Sequence, residues 1–125
     1  MTKNYFLPLG GTGEIGMNLN LYGCLHNNKE DWIMIDCGVT FSQAGNPGID
    51  LQMADPNFIA KKKNNLLGII LTHAHEDHIG AMPFIWPHFK CPIYTTKFTA
   101  ALLEEKLYEH NIIFEDKIMI IDDKD

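Results

Sequence analysis

The chain has 125 residues, enough for one domain at most, with a core of modest size. Apolar residues make up 46% and charged residues 21%, an ordinary balance for a globular protein, and no apolar stretch approaches the ~20 residues of a membrane span. The formal charge of −6 argues against a free-standing nucleic-acid binder, because phosphate contacts need a basic face.

The N-terminus, Met1 to Tyr5, lacks the apolar core of a signal peptide. Cys24, Cys37 and Cys91 form no CxxC pair, so the expectation is reduced thiols in a cytoplasmic protein. Tyr5-Phe6-Leu7-Pro8-Leu9 predicts a first strand, closed by a glycine turn from Gly10 to Gly16. Within it, Gly11-Thr12-Gly13-Glu14-Ile15-Gly16 matches G-x-G-x-x-G, and the acidic Asp36 follows at a suitable distance. A dinucleotide site needs a helix to open inside that loop. Here Asn18 to Leu25 alternate polar and apolar as a strand does, so a tight turn at positive φ is the better reading.

Asn27 to Asp31 read as a polar hairpin connection into Trp32-Ile33-Met34-Ile35, a run that predicts a strand buried on both faces and ended by Asp36-Cys37-Gly38. Residues 39–56, with Gly45, Pro47, Gly48 and Pro56, read as one long loop. Asp55-Pro56 starts a short helix, with proline at its first position, running to about Lys63. Lys61-Lys62-Lys63 is taken as a solvated helix end rather than an RNA patch. Leu66 to Thr72 predict a buried strand, and His78 to Phe89 a helix interrupted by Pro83 and Pro87. Pro92-Ile93-Tyr94 is a short strand. Thr96 caps a helix over Lys97–Glu109 with apolar pairs Phe98/Leu102 and Leu103/Leu107, and Ile118 to Ile121 form a last strand. Strands first and then alternating strands and helices predict a mixed α and β fold with helices packed on a sheet.

Between the Leu66–Thr72 strand and the next helix lies His73-Ala74-His75-Glu76-Asp77-His78, in which four side chains other than Glu76 are candidate metal ligands. In an extended segment residues two apart point the same way, so His73 and His75 can share one ion. Asp77 and His78 fall where the chain turns and can serve a second. Imidazole and carboxylate without cysteine suit a zinc site that is not a closed structural one, with manganese or magnesium as alternatives. A lone histidine on an apolar face is usually a core residue, but three with an aspartate at a strand end are not. His26, His88 and His110 read as ordinary surface or helix-end residues. Glu76 reads as solvent-facing, with a hydrogen bond to a ligand histidine as its alternative. Asp36, at the end of a buried strand, needs a partner and is a candidate support for the metal ligands.

The hexapeptide is the HxHxDH signature of the metallo-β-lactamase superfamily, and Ile35-Asp36-Cys37-Gly38 resembles that superfamily's strand-end aspartate motif. Leu9 to Asn18, Gly48-Ile49-Asp50-Leu51 with Asp55-Pro56, Leu71 to Ala81, and Pro92-Ile93-Tyr94 with Thr96 to Thr99 resemble the opening of the bacterial ribonuclease J family, a β-CASP group of metal-dependent enzymes that degrade RNA from the 5′ end and also cut internally. The resemblance implies an αββα-type fold, present here in part as a mixed sheet with helices on its outer face. It implies two Zn²⁺ per complete site, one held by His73 and His75 and the other by Asp77 and His78. Asp77 and Asp36 would be the catalytic pair, Asp36 from behind the ligands. Two such metals would activate water for in-line attack on the phosphodiester.

The family's third histidine of the first metal site and its bridging aspartate have no counterpart here, since His88 and His110 come too early and in the wrong contexts. By the same resemblance, the expectation is that the β-CASP domain and the C-terminal dimerisation region are not part of residues 1–125. The expectation is that residues 1–125 form the N-terminal part of a metallo-β-lactamase domain carrying half of an active site. RNA would be the partner of the full-length enzyme, with no membrane involved and with homo-oligomers only if the C-terminal region is present. Two other readings stand beside it: another hydrolase of the fold acting on small thioesters or lactones, and a non-catalytic metal-binding remnant.

Overall fold

The computed structural model describes residues 2–10, 17–41 and 51–121. The expected glycine turn over 11–16, Gly48-Ile49-Asp50 and the acidic stretch 122–125 lie outside the described residues.

In chain order the elements are β1 (Thr2–Gly10), β2 (Leu19–His26), β3 (Lys29–Ile35), β4 (Val39–Phe41), β5 (Leu51–Met53), α1 (Asn57–Ala60), β6 (Leu66–Ile70), α2 (Glu76–Ile79), α3 (Met82–Ile85), β7 (Ile93–Thr95), α4 (Lys97–Glu109) and β8 (Ile118–Ile120). Single 3₁₀ turns at Lys63–Asn65, Trp86–His88 and Glu115–Lys117 join some of them. Six strands form one sheet in the order β1-β2-β3-β6-β7-β8. The first three are an antiparallel meander, and β3, β6, β7 and β8 run parallel.

The β2–β3 connection is tighter than the sequence suggested. Asn27 and Asn28 alone make the turn, at φ 51° and 67°, and His26 already pairs with Lys29. Positive φ at both central residues is what a hairpin turn matching strand twist requires, and asparagine tolerates it. The long loop expected over 39–56 is also corrected, because β4 and β5 pair antiparallel as a small second sheet, Val39 opposite Met53. Pro56 occupies the cap position of α1 rather than its first helical residue. Asp55 Oδ1 accepts from Asn57 N at 2.9 Å, an Asx-type bond that starts the turn. The expected helix from His78 to Phe89 breaks into α2, α3 and a 3₁₀ turn, and it begins earlier, at Glu76.

One face of the sheet makes the core. Leu19 and Leu21 on β2, Trp32 and Met34 on β3, Leu66 and Ile69 on β6, and Ile93 on β7 are buried against Ile79, Met82, Ile85, Trp86, Leu103 and Leu107 from the helices. Strand β3 is buried on that face only: Ile33 and Ile35, pointing the other way, are half-buried, which corrects the reading of a strand buried on both faces. In α4, Thr96 accepts from Thr99 N as its cap, and Leu103 and Leu107 face the core as an i,i+4 pair. The other expected pair, Phe98 and Leu102, stays exposed. Among the described residues no helix is long and apolar enough to cross a membrane.

Candidate metal centre

The parallel strands β3 and β6 end side by side, and their carboxyl ends carry the chemistry. In open sheets with parallel strands this end is where ligands sit. Asp36 follows β3 and donates its N–H to Ile70 O at 2.8 Å, which ties it to the last residue of β6. Its φ of 64° is left-handed, an uncommon conformation for a residue with a Cβ. The turn it makes aims its carboxylate at Thr72 and away from water.

That carboxylate is buried, 5% exposed, and fully engaged. Thr72 N donates to Oδ1 at 2.8 Å, and Thr72 Oγ1 donates to Oδ1 and Oδ2 at 2.9 and 2.8 Å. His78 Nδ1 lies 2.8 Å from Oδ2. Because a carboxylate only accepts, His78 must carry its proton on Nδ1. The Thr72 hydroxyl proton is already committed to Asp36, so His73 Nδ1, 3.0 Å from Thr72 Oγ1, must be the donor in that contact too. Two imidazoles are thereby held in one tautomer, with Nε2 as the lone-pair nitrogen on each.

The rings of His73 and His78 are 4.6 Å apart by centroid, and those of His73 and His75 6.1 Å. The strand β6 stops at Ile70, so His73 and His75 project from the connection to α2, and the alternation argument applied to a segment that is not strand. His78 stands nearer to His73 than His75 does. Its Nε2 is 3.6 Å from Asp77 Oδ2. At that separation the two atoms can share a metal ion, or a proton on Nε2 when His78 is charged. Two donors ~2.0–2.2 Å from one tetrahedral zinc lie roughly 3.3–3.5 Å apart, close to what is observed. The donor set thus fits part of a zinc shell. Among the described residues, no group of three or more histidine, cysteine, aspartate or glutamate side chains is arranged to hold an ion by itself.

Glu76 forms an ion pair with Lys106 of α4, rather than a bond to a ligand histidine. The other histidines lie apart from the cluster or in other contacts: His26 Nδ1 is 2.6 Å from Thr2 Oγ1, and His110 meets the Phe84 ring edge-on at 5.3 Å. Lys62 of the lysine run pairs with Glu30 at 2.7 Å. All three cysteines are free. Burial, with the Asp36 carboxylate adding to it, pushes the Cys37 thiol far above its ordinary range, so Cys37 is packing and not a nucleophile. A concavity of about 430 Å³ lined by Tyr5, Tyr22, Trp32 and Leu67 includes none of the histidines.

Two residues of this region were not singled out from the sequence. Thr72 had a signal, a hydroxyl at the strand end immediately before the cluster. Asn18 closes the Leu9 to Asn18 stretch, but nothing local pointed to its contact: its amide donates to Asp77 O at 3.0 Å across 59 residues of chain.

The family profile described as the metallo-beta-lactamase superfamily matches residues 23–122. Ribonuclease J of Sinorhizobium meliloti is 54% identical over 101 residues, covering 81% of this chain and 18% of the relative. Ribonuclease J of Helicobacter pylori is 38% identical over 105 residues, covering 84% and 15%. Human tRNase Z, short form, superposes with a TM-score of 0.52 at 16% identity, over 96% of this chain and 44% of that one, a likeness of fold alone. The chain therefore spans less than a fifth of the curated relatives' length, in their N-terminal portion.

Proposed function

Because the chain belongs to the metallo-beta-lactamase superfamily, with a partial form of that mixed, helix-covered fold, we propose that it supplies one half of the active site of a metal-dependent ribonuclease. The reading is carried by the arrangement of His73, His78 and Asp77 around the Asp36–Thr72 anchor. The likeness to ribonuclease J over 101 residues favours RNA over other substrates of the fold.

In this reading His73 and His75 hold one zinc ion, and Asp77 and His78 the other. The remaining donors come from outside the described residues. Bound zinc would supply Lewis-acid stabilisation of charge on the phosphodiester. The protein's own contribution is orientation. Asp36 accepts the His78 Nδ1 proton and Thr72 accepts that of His73, which leaves both Nε2 lone pairs turned outward. A buried carboxylate behind an imidazole also raises its strength as a ligand. The full protein would act on RNA in the cytoplasm, from the 5′ end and internally, with manganese or magnesium as alternative ions.

The test is a pair of measurements. The complete reading frame that contains this chain, assayed on 5′-monophosphorylated RNA, is expected to release nucleotides, to stop on chelation and to recover with Zn²⁺. His75→Ala should lower that rate by about 10²-fold or more, in line with losing a metal ligand. Turnover of a thioester or lactone in place of RNA would overturn the substrate. The 125-residue chain alone is expected to bind zinc weakly and to degrade little RNA; robust degradation lost on His75→Ala would overturn the half-site.

A further inference from the structure

Helix α2 carries Asp77 and His78 yet is a single turn, too short to hold its own shape with internal hydrogen bonds. Two carbonyls in it are satisfied from other parts of the chain. Asp77 O accepts from Asn18 N at 3.1 Å and from Asn18 Nδ2 at 3.0 Å. His78 O accepts from Cys37 N at 2.7 Å. In a longer helix Ala81 N would serve Asp77 O, but here it donates to Cys37 O at 2.9 Å. Asn18 O in turn accepts from Gly38 N at 2.9 Å, so three segments close on one another.

The approach is close enough to fix residue types. A Cβ on Gly38 would stand 1.7 Å from Asp77 O, so no side chain fits there. At position 18 the side chain must present a donor to a carbonyl that already accepts the same residue's backbone N–H. Asparagine does so, whereas aspartate, of equal length and shape, offers only acceptors.

We infer that Asn18 is a positioning residue for the metal site, its two donors gripping the Asp77 carbonyl and so setting where the Asp77 carboxylate and the His78 imidazole stand. The inference rests on the metal reading proposed above. The carbonyls on either side of the His78 Cα are both held, Asp77 O by Asn18 and His78 O by Cys37, and the Asp77 and His78 side chains leave from this pinned stretch. Freed from Asn18, the turn can rotate by the small amounts that separate a shared cation position from two unrelated side chains.

The experiment uses the 125-residue chain with Co²⁺ as a visible probe, alongside long-range ¹H–¹⁵N spectra of the histidine rings without metal. Asn18→Asp and Asn18→Ala are expected to weaken Co²⁺ binding about tenfold or more and to shift the ring ¹⁵N signals of His78. Thr96→Ala, a destabilising change at the cap of α4 that touches neither Asn18 nor the Asp77 carbonyl, should leave both readouts at wild-type values. Folded Asn18 variants with wild-type affinity and unchanged His78 signals would overturn the inference, as would equal changes in Thr96→Ala. If Asn18→Asp fails to fold, Asn18→Ala decides, since it keeps the backbone bond and removes only the amide. A wild-type chain that takes up no Co²⁺ sinks the metal reading, and the His78 signals alone then decide the positioning role.

Discussion

Thr72 holds more of the site than any other uncharged residue. Its hydroxyl spans both oxygens of Asp36 and takes a hydrogen bond from His73, while its N–H completes the Asp36 shell. Thr72→Val keeps the shape and removes the hydroxyl. A buried carboxylate then loses a donor, which costs about 1–3 kcal/mol, and His73 loses what fixes its tautomer. The expected outcome is a lower urea midpoint together with loss of the single-tautomer pattern at His73, read from ring ¹⁵N shifts. An unchanged His73 pattern would show that its tautomer is set elsewhere.

Among the elements, α4 is the long helix that closes the core, and its start depends on one side chain. Thr96 sits in extended geometry and accepts from Thr99 N. Thr96→Ala should cost about 1 kcal/mol, a fall in Tm of about 3–5 °C for a chain of this size, with the sheet signature in circular dichroism intact. This helix was legible from the sequence because the Thr96 cap and the Leu103/Leu107 spacing agree on it, although the other apolar pair, Phe98 and Leu102, stays exposed. The strands of the sheet were legible for a similar reason, as were the histidines, which cluster within six positions. Elements held by distant partners were not. β4 and β5 are three residues each and depend on pairing with one another. α2 depends on Asn18 and Cys37, and no local pattern announces a turn whose hydrogen bonds end 40 to 60 residues away. Asp36 was recognisable as a buried carboxylate, but its donors, Thr72 and His78, became visible only once β3 and β6 stood side by side.

For the whole molecule, alkaline pH acts on the core through its buried thiols. Burial pushes the Cys91 thiol up to about 11, and Cys37 rises further. A thiol whose pKa is raised by folding favours the folded state while both states are protonated. That contribution is complete below the ordinary thiol value of 9.0 and declines as pH rises from there through about 11, because the unfolded chain releases its proton first. The urea midpoint should therefore fall over this window, and Cys91→Ala should flatten part of the fall. An identical slope in the variant would show that other groups account for it.

The sheet is half meander and half parallel, and this division has a kinetic consequence. β1, β2 and β3 close through short connections, the second of them a two-residue turn, whereas β3 cannot meet β6 until the thirty residues between Ile35 and Leu66 have been gathered in. Loop closure of that length is slow to be rewarded by contacts. Folding should start at the Asn27–Asn28 turn and finish at β8. In stopped-flow measurements Asn28→Ala is then expected to slow refolding, while Ile118→Val mainly speeds unfolding. The residues that carry the chemistry, Asp36 just past β3 and Thr72 to His78 just past β6, would be among the last to find their places.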